Sequence, residues 1–306
     1  MFKKGITSNF RNILGISIVL VTIIFFVLYS KNHPQLLGIL LTLDPSSLLL
    51  LTLGYSLITL INAFVLVYSL RFIGQRVPVL ESFIITGYSS VINFFGPLQS
   101  GPGFRAAYLK QKYSVRIRDF FITTVIFYGF FALVNGLVIA IALVEQYKSL
   151  WWTYGICIII PLVLLTGFIY YHGMTKIRVG VMKMRIKGRD FWFIGLGAVA
   201  LSLVTAGTYY VELLHINSNI SPAQALIYTA VANLALFVSL TPGAIGFRES
   251  FLVLSQHLHA INVTTIVGAS IIDRAFYVCF LGILFLIILG FSGRKYISRK
   301  RLKSGD

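Results

Sequence analysis

Five ionisable residues stand where an otherwise apolar sequence gives them no aqueous surroundings: Arg105, Arg248, Glu249, Asp273 and Arg274. Arg248 and Glu249 close the stretch Ser239-Leu240-Thr241-Pro242-Gly243-Ala244-Ile245-Gly246-Phe247-Arg248-Glu249, in which Pro242, Gly243 and Gly246 break a helix. Ionised groups at membrane depth cost ~2.5–3.5 kcal/mol each on insertion scales, so they face a cavity and carry function. Broken backbone at that depth is tolerated only when buried in protein or lining a wet cavity. Together the two features point to a binding site.

The chemistry on offer is anion recognition. A helix restarting after Gly103 or Gly246 would aim partial positive charge and unpaired N–H groups into the membrane. Arg105 and Arg248, expected in those first turns, add guanidinium groups shaped for phosphate. Three arginines against Glu249 and Asp273 leave the cavity net positive, so a phosphate-bearing lipid headgroup is the expected occupant. The two acids could recognise an amine or take up protons. Asp273 lies about 13 Å along a helix from Thr264, near the midplane of a ~30 Å core. It is about 100° round the helix from Arg274, so Asp273 is expected to meet Arg248 and Arg274 to meet Glu249. The competing reading is purely structural: buried ion pairs that fix registry and bind nothing.

The elements that must position these groups are membrane helices. The chain of 306 residues is 57% hydrophobic and 11% charged, with mean hydropathy +0.86. A soluble domain carries about 25% charged residues, so the expectation is an all-α polytopic membrane protein with a single integral domain over residues 1–306. The net charge of +17 falls in short loops, where it sets topology and does not indicate nucleic acid. Cys157 and Cys279 lie in apolar runs without ligand spacing, so neither a metal nor a cofactor is expected. No nucleophile–base pairing supports an enzyme.

In chain order, spans are expected at about 12–30, from Asp44-Pro45 to Tyr68, at 119–143, 151–171, 191–211 and 264–290: six in all. Residues 35–43 are too short to cross and are placed along the outer interface. Asp44 serves as N-cap to Pro45. Trp151-Trp152 read as an interfacial belt, and Lys176 to Arg189 as a basic cytoplasmic loop. Glu212–Ser221 reads as a polar outer loop, and His257 and His259 as interfacial. Asn219-Ile220-Ser221 and Asn262-Val263-Thr264 match the glycosylation pattern weakly. Both termini fall in the cytoplasm, with a basic tail at 291–306.

Two apolar stretches fit no simple span. Residues 79–104 have basic clusters on both sides and are interrupted by Gly96, Pro97, Gly101 and Gly103, so they are expected to enter from the cytoplasm and return. Residues 222–262, broken at Thr241–Gly246, have both ends outside. Each re-entrant hairpin carries Gly-Phe-Arg just past its break: Gly103-Phe104-Arg105 and Gly246-Phe247-Arg248. Residues 45–143 and 191–290 then form an inverted repeat, whose site lies near the midplane. Asn93, Asn233 and Tyr277 read as hydrogen bonders between helices.

These motifs, with Asp273-Arg274, Gly101-Pro102-Gly103-Phe104-Arg105 and Tyr108-Leu109, resemble the lysylphosphatidylglycerol synthase transmembrane family, or flippase-like domain family, over nearly the whole chain. In that family an acid usually adjoins the first arginine and a charge follows in the next span. Here Gly103-Phe104 and Phe127-Tyr128 occupy those places. The resemblance implies a lipid flippase or transporter of the cytoplasmic membrane. Its partners would be membrane lipids, anionic or zwitterionic phospholipid or a polyprenyl-phosphate-linked lipid, with self-association left open. The alternative is a non-transporting partner or scaffold of a lipid-modifying or glycolipid-assembly enzyme.

Overall fold

A computed structural model describes residues 43–95, 100–146, 178–179, 182–183, 188–238, 244 and 246–304, with side chains to residue 290. The expected spans at 12–30 and 151–171, the 35–43 stretch, Trp151-Trp152, Cys157, most of the 176–189 loop, Gly96, Pro97, Pro242 and Gly243 lie outside them. Among the described residues, four helices are long and apolar enough to cross a membrane. They are α1 (Pro45–Phe72), α4 (Ile117–Gln146), α5 (Gly188–Ile216) and α9 (Val263–Ser304). Between them come α2 (Val79–Phe95), α3 (Gly101–Tyr113), α6 (Pro222–Ala235), α7 (Phe247–Leu254) and α8 (Gln256–His259). Arg178–Val179 pairs antiparallel with Met182–Lys183.

Leu49, Leu53, Leu57, Leu60 and Phe64 are exposed along α1, as are Leu196 and Leu203 on α5 and Ile283, Leu286 and Ile287 on α9. A soluble protein rarely exposes apolar stripes of this extent, whereas lipid covers them without cost. The chain is a multi-pass helical membrane protein. Small residues bring its helices together: a Cβ at Gly54 would meet Thr208 Oγ1 on α5, and one at Gly197 would meet Val65 on α1. Such close approach is how membrane helices gain dispersion contacts without a hydrophobic drive.

Local sequence sets the helix ends. Asp44 caps α1 by accepting from Ser47 N at 3.0 Å, with Pro45 in the first turn. Hydrogen bonds from the Ser46 and Ser47 hydroxyls hold its carboxyl below the usual carboxylate range. Ser221 and Gln224 form a capping box on α6, and Asn262 caps α9 by accepting from Thr265 N at 2.8 Å. Both glycosylation-like triplets thus contribute caps. The last helix runs unbroken into the basic tail as far as Ser304.

Helices α2 and α3 fold back on one another. Ser100 Oγ donates to Ile92 O (3.2 Å), Gly101 N to Asn93 Oδ1 (3.3 Å) and Arg105 Nε to Ser89 Oγ (2.8 Å). The separation in sequence grows from 8 residues at the break to 16 at Arg105–Ser89, as in an antiparallel pair. Asn93 therefore caps the hairpin, and Asn233 reaches across to Asn135 Oδ1 at 3.0 Å. The helix restarts at Gly101, two residues before the expected Gly103. Pro102 lacks an N–H and suits the first turn, and Asn93 satisfies the Gly101 donor. Gly101 and Gly103 therefore sit inside α3, and Arg105 follows the first turn instead of lying in it.

The second hairpin closes differently. After α6 a 3₁₀ turn (Leu236–Val238) leads to the break, and α7 starts behind Gly246 at φ +82°. His259 is fully buried, contrary to the interfacial expectation. Its Nε2 lies 3.0 Å from Leu252 O, and its Nδ1 accepts from Ile261 N at 3.2 Å. The imidazole thus caps the turn from α8 to α9, and burial pushes its pKa below the ordinary value near 6.5.

A Cβ on Gly101 would lie 2.7 Å from Ser89 O, a backbone atom, whereas one on Gly103 meets nothing within 4 Å. Gly101→Ala should therefore cost about 1–3 kcal/mol by overpacking the hairpin, while Gly103→Ala should be neutral or stabilising by up to about 1 kcal/mol. Thermal unfolding of both variants in detergent tests this; equal midpoints would refute the close approach.

Candidate functional site

Helices α1, α5, α7 and α9 converge on one buried cluster. Arg248, in the first turn of α7, donates from Nη2 to Asp273 Oδ2 on α9 at 2.5 Å. Its Nη1 donates to the Tyr209 hydroxyl on α5 at 3.0 Å, and the guanidinium carbon lies 5.5 Å from that ring's centroid. Arg274 Nη2 donates to Glu249 Oε1 at 2.5 Å. Both cross-pairings expected from helix geometry are therefore present. Glu249 also accepts from Gly246 N at 2.8 Å, which caps α7 and answers a donor that its glycine cap cannot satisfy by side chain.

Three residues of this cluster escaped the sequence reading. Tyr55 on α1 donates its hydroxyl proton to Asp273 Oδ1, and its oxygen also lies 3.0 Å from Glu212 Oε1. Tyr209 holds Arg248. Glu212, expected in a polar loop, is 2% exposed, because α5 continues to Ile216. The signal was available: Leu213 and Leu214 continue the apolar run past Glu212, and both pack into the core. Loop polarity alone placed the boundary too early.

Beside the cluster lies a cavity of about 380 Å³. Arg105, Arg248, Asp273 and Arg274 line it, while Glu249 stands outside its wall. Asn62, Ser89, Ser90, Asn93, Thr124 and Tyr128 contribute polar groups to its lining, and Phe94, Phe127, Phe131 and Phe237 contribute apolar ones. Arg105 differs from its counterpart Arg248. Its hydrogen bond is to Ser89 Oγ, and among the described residues no carboxylate lies within ion-pair distance of it. Where the sequence left the first half without an acid beside its arginine, the structure supplies none in space either. The last acid before Arg105, Glu81, instead takes the Tyr108 hydroxyl and the Lys112 ammonium and ties α3 to the start of α2.

Such a site can hold an anion. Arg248 and Arg274 already have carboxylates, so the uncompensated positive charge of the cavity wall resides on Arg105. Among the described residues no group of histidine, cysteine or acidic side chains is arranged to hold a metal.

A family model described as the lysylphosphatidylglycerol synthase TM region matches residues 12–284, which includes every residue of the cluster and the cavity wall. No curated protein matches the chain.

Truncating one member of the Arg248–Asp273 pair leaves the other charge buried and alone. Asp273→Ala and Arg248→Ala should each destabilise the protein by roughly 3–5 kcal/mol. The double variant should lose clearly less than the sum of the two, and the swap Asp273→Arg with Arg248→Asp should recover part of the loss. Unfolding in detergent measures all four; additive losses would show that the two residues are not coupled.

Proposed function

Because the chain belongs to the lysylphosphatidylglycerol synthase transmembrane family, we propose that it moves a phosphate-bearing lipid headgroup across the cytoplasmic membrane through the cavity beside the Arg248–Asp273 cluster. The observation that carries this reading is Arg105, a guanidinium on a cavity wall without a carboxylate partner among the described residues. A phosphate oxygen would supply the missing acceptors, and Arg is shaped to take it in a fork. A volume of about 380 Å³ is within the range of small-molecule sites. It suits a headgroup whose acyl chains stay in the bilayer.

The proposed architecture is two inverted units, 45–143 and 191–290, within six spans and two re-entrant hairpins. Its support is the way the units interlock. The long helices α1 and α5, which open the units, pack on each other. Helix α4, which ends the first unit, packs on α6 of the second hairpin; α9, which ends the second, packs on α2 of the first. Exchange of this kind is what a pseudo-two-fold axis between repeats would impose, and transporters so built hold substrate at the repeat interface. The cavity draws its wall from both units.

Two experiments test the reading. In vesicles containing a fluorescent phosphatidylglycerol in one leaflet, the purified protein should redistribute the lipid. Arg105→Ala should slow this about tenfold or more, the equivalent of a charge-assisted hydrogen bond. Lys300→Ala, which removes the same charge from the tail, should not. Equal rates for the two variants would refute the midplane site. For topology, Lys148→Cys should react with an impermeant thiol reagent from outside and Arg178→Cys from inside; the reverse pattern would overturn the arrangement.

A further inference from the structure

We propose that Glu212 is a protonated carboxylic acid that passes its proton through Tyr55 to Asp273, so that each anionic headgroup crosses with one proton. The inference rests on the transport reading above and deepens it.

The argument is a count of protons. The Tyr55 hydroxyl has one, yet its oxygen is in hydrogen-bond contact with two carboxyls, Glu212 Oε1 and Asp273 Oδ1. With both acids ionised, one of these oxygen–oxygen contacts would have no proton in it. One carboxyl must therefore carry a proton of its own. Asp273 is fixed as the carboxylate by Arg248, which donates to its other oxygen at 2.5 Å. Glu212 has no cation within 4.0 Å among the described residues and is 2% exposed. At rest, an ionised carboxylate with so little compensation would be costly there, so Glu212 can be ionised only in passing. The proton is on Glu212: its O–H donates to Tyr55, and the Tyr55 O–H donates to Asp273.

Other groups around Glu212 do not change the assignment. Tyr209 on its own helix and Tyr228 from α6 are neutral hydroxyls, and Arg248 from α7 is engaged by Asp273. Helix α4 turns Phe127, Phe131 and Asn135 towards α5.

The same chain of bonds can run one step forward. The Glu212 proton moves to the Tyr55 oxygen as the Tyr55 proton moves to Asp273 Oδ1. Glu212 becomes the carboxylate, Asp273 becomes the neutral acid, and Tyr55 ends as it began. A proton from the aqueous phase then restores Glu212. The net change is one proton gained on Asp273, which frees the charge of Arg248 on the cavity wall. One proton thus adds one cation for one phosphodiester anion, and the pair moves without net charge. Once the headgroup has crossed, Asp273, which lines the cavity, gives its proton to the aqueous phase on the far side, the Arg248–Asp273 bridge re-forms and the anion is expelled.

Two measurements test this on the purified full-length protein. Infrared difference spectra of wild type and Glu212→Gln at neutral pH should show a protonated-carboxyl band that the variant lacks. Asp273→Asn is the control, since its carboxylate should contribute no such band. Absence of the band from wild type overturns the proposal. In vesicles bearing fluorescent phosphatidylglycerol, a gradient of one pH unit should accumulate the lipid about tenfold in the leaflet facing the alkaline side. Protein-free vesicles define the passive background, and Glu212→Gln and Tyr55→Phe should lose the response. Wild-type protein that moves lipid but ignores the gradient overturns the coupling and leaves the transport reading intact. Wild-type protein that moves no lipid at all overturns both.

Discussion

The Arg248–Asp273 bridge is the interaction on which the rest of the arrangement depends. It joins α7, the short helix that follows the break in the second half, to α9, the longest helix among the described residues. Helix α7 has eight residues, too few to be stable alone. It is held by Leu252 in the apolar core, by the Glu249 cap and by this ion pair. Desolvating two charges is costly, and a hydrophobic pair of equal volume is often as stable. Under the proposed function, a bridge kept at that cost is a part whose making and breaking matters. Its neighbours agree: Tyr209 supports the guanidinium from one side, while Tyr55 contacts the carboxylate from the other.

The helices that carry these groups are placed by small residues and by capping more than by apolar drive. Gly54 and Gly197 let α1 and α5 approach closely enough for Tyr55 to reach Glu212. Gly101 does the same for the first hairpin and thereby sets where Arg105 emerges. In each case a methyl group at the contact would push apart helices whose polar residues meet only at hydrogen-bond distance. Stability and site geometry are thus fixed by the same contacts.

Much of this was legible in the sequence, for identifiable reasons. The long apolar runs of α1, α4, α5 and α9 and the Asp44-Pro45 start need no tertiary information. The pairing of Asp273 with Arg248, and of Arg274 with Glu249, followed from the cost of a bare charge and the angular step of a helix. What failed was local. Glu212 was assigned to a loop because it, Asn217, Ser218 and Asn219 follow Tyr210, although the apolar pattern persists to Ile216. His259 was judged interfacial from its position, although its role as a turn cap depends on the Leu252 carbonyl arriving from another helix. The restart of α3 at Gly101 depends on Asn93, eight residues earlier. The last two turn on a partner from another helix, which no periodicity records.

The two halves share Gly-Phe-Arg but differ in electrostatics, and under the proposed function the difference bears on mechanism. In the second half, arginine, acid and tyrosine are present together, and Arg248 is neutralised at rest. In the first, Arg105 has Ser89 Oγ and the cavity. A transporter with two equally free arginines would bind a phosphate tightly and release it slowly, because nothing in the site would compete with the anion. One with both neutralised would bind it poorly. A permanently free Arg105 beside an Arg248 that is free only when Asp273 is protonated avoids both extremes. Arg105 attracts the anion, and the competing Asp273 carboxylate supplies the means of letting it go. Under the proposed reading, loss of the acid from the first half is therefore the feature that lets a symmetric scaffold do directional work.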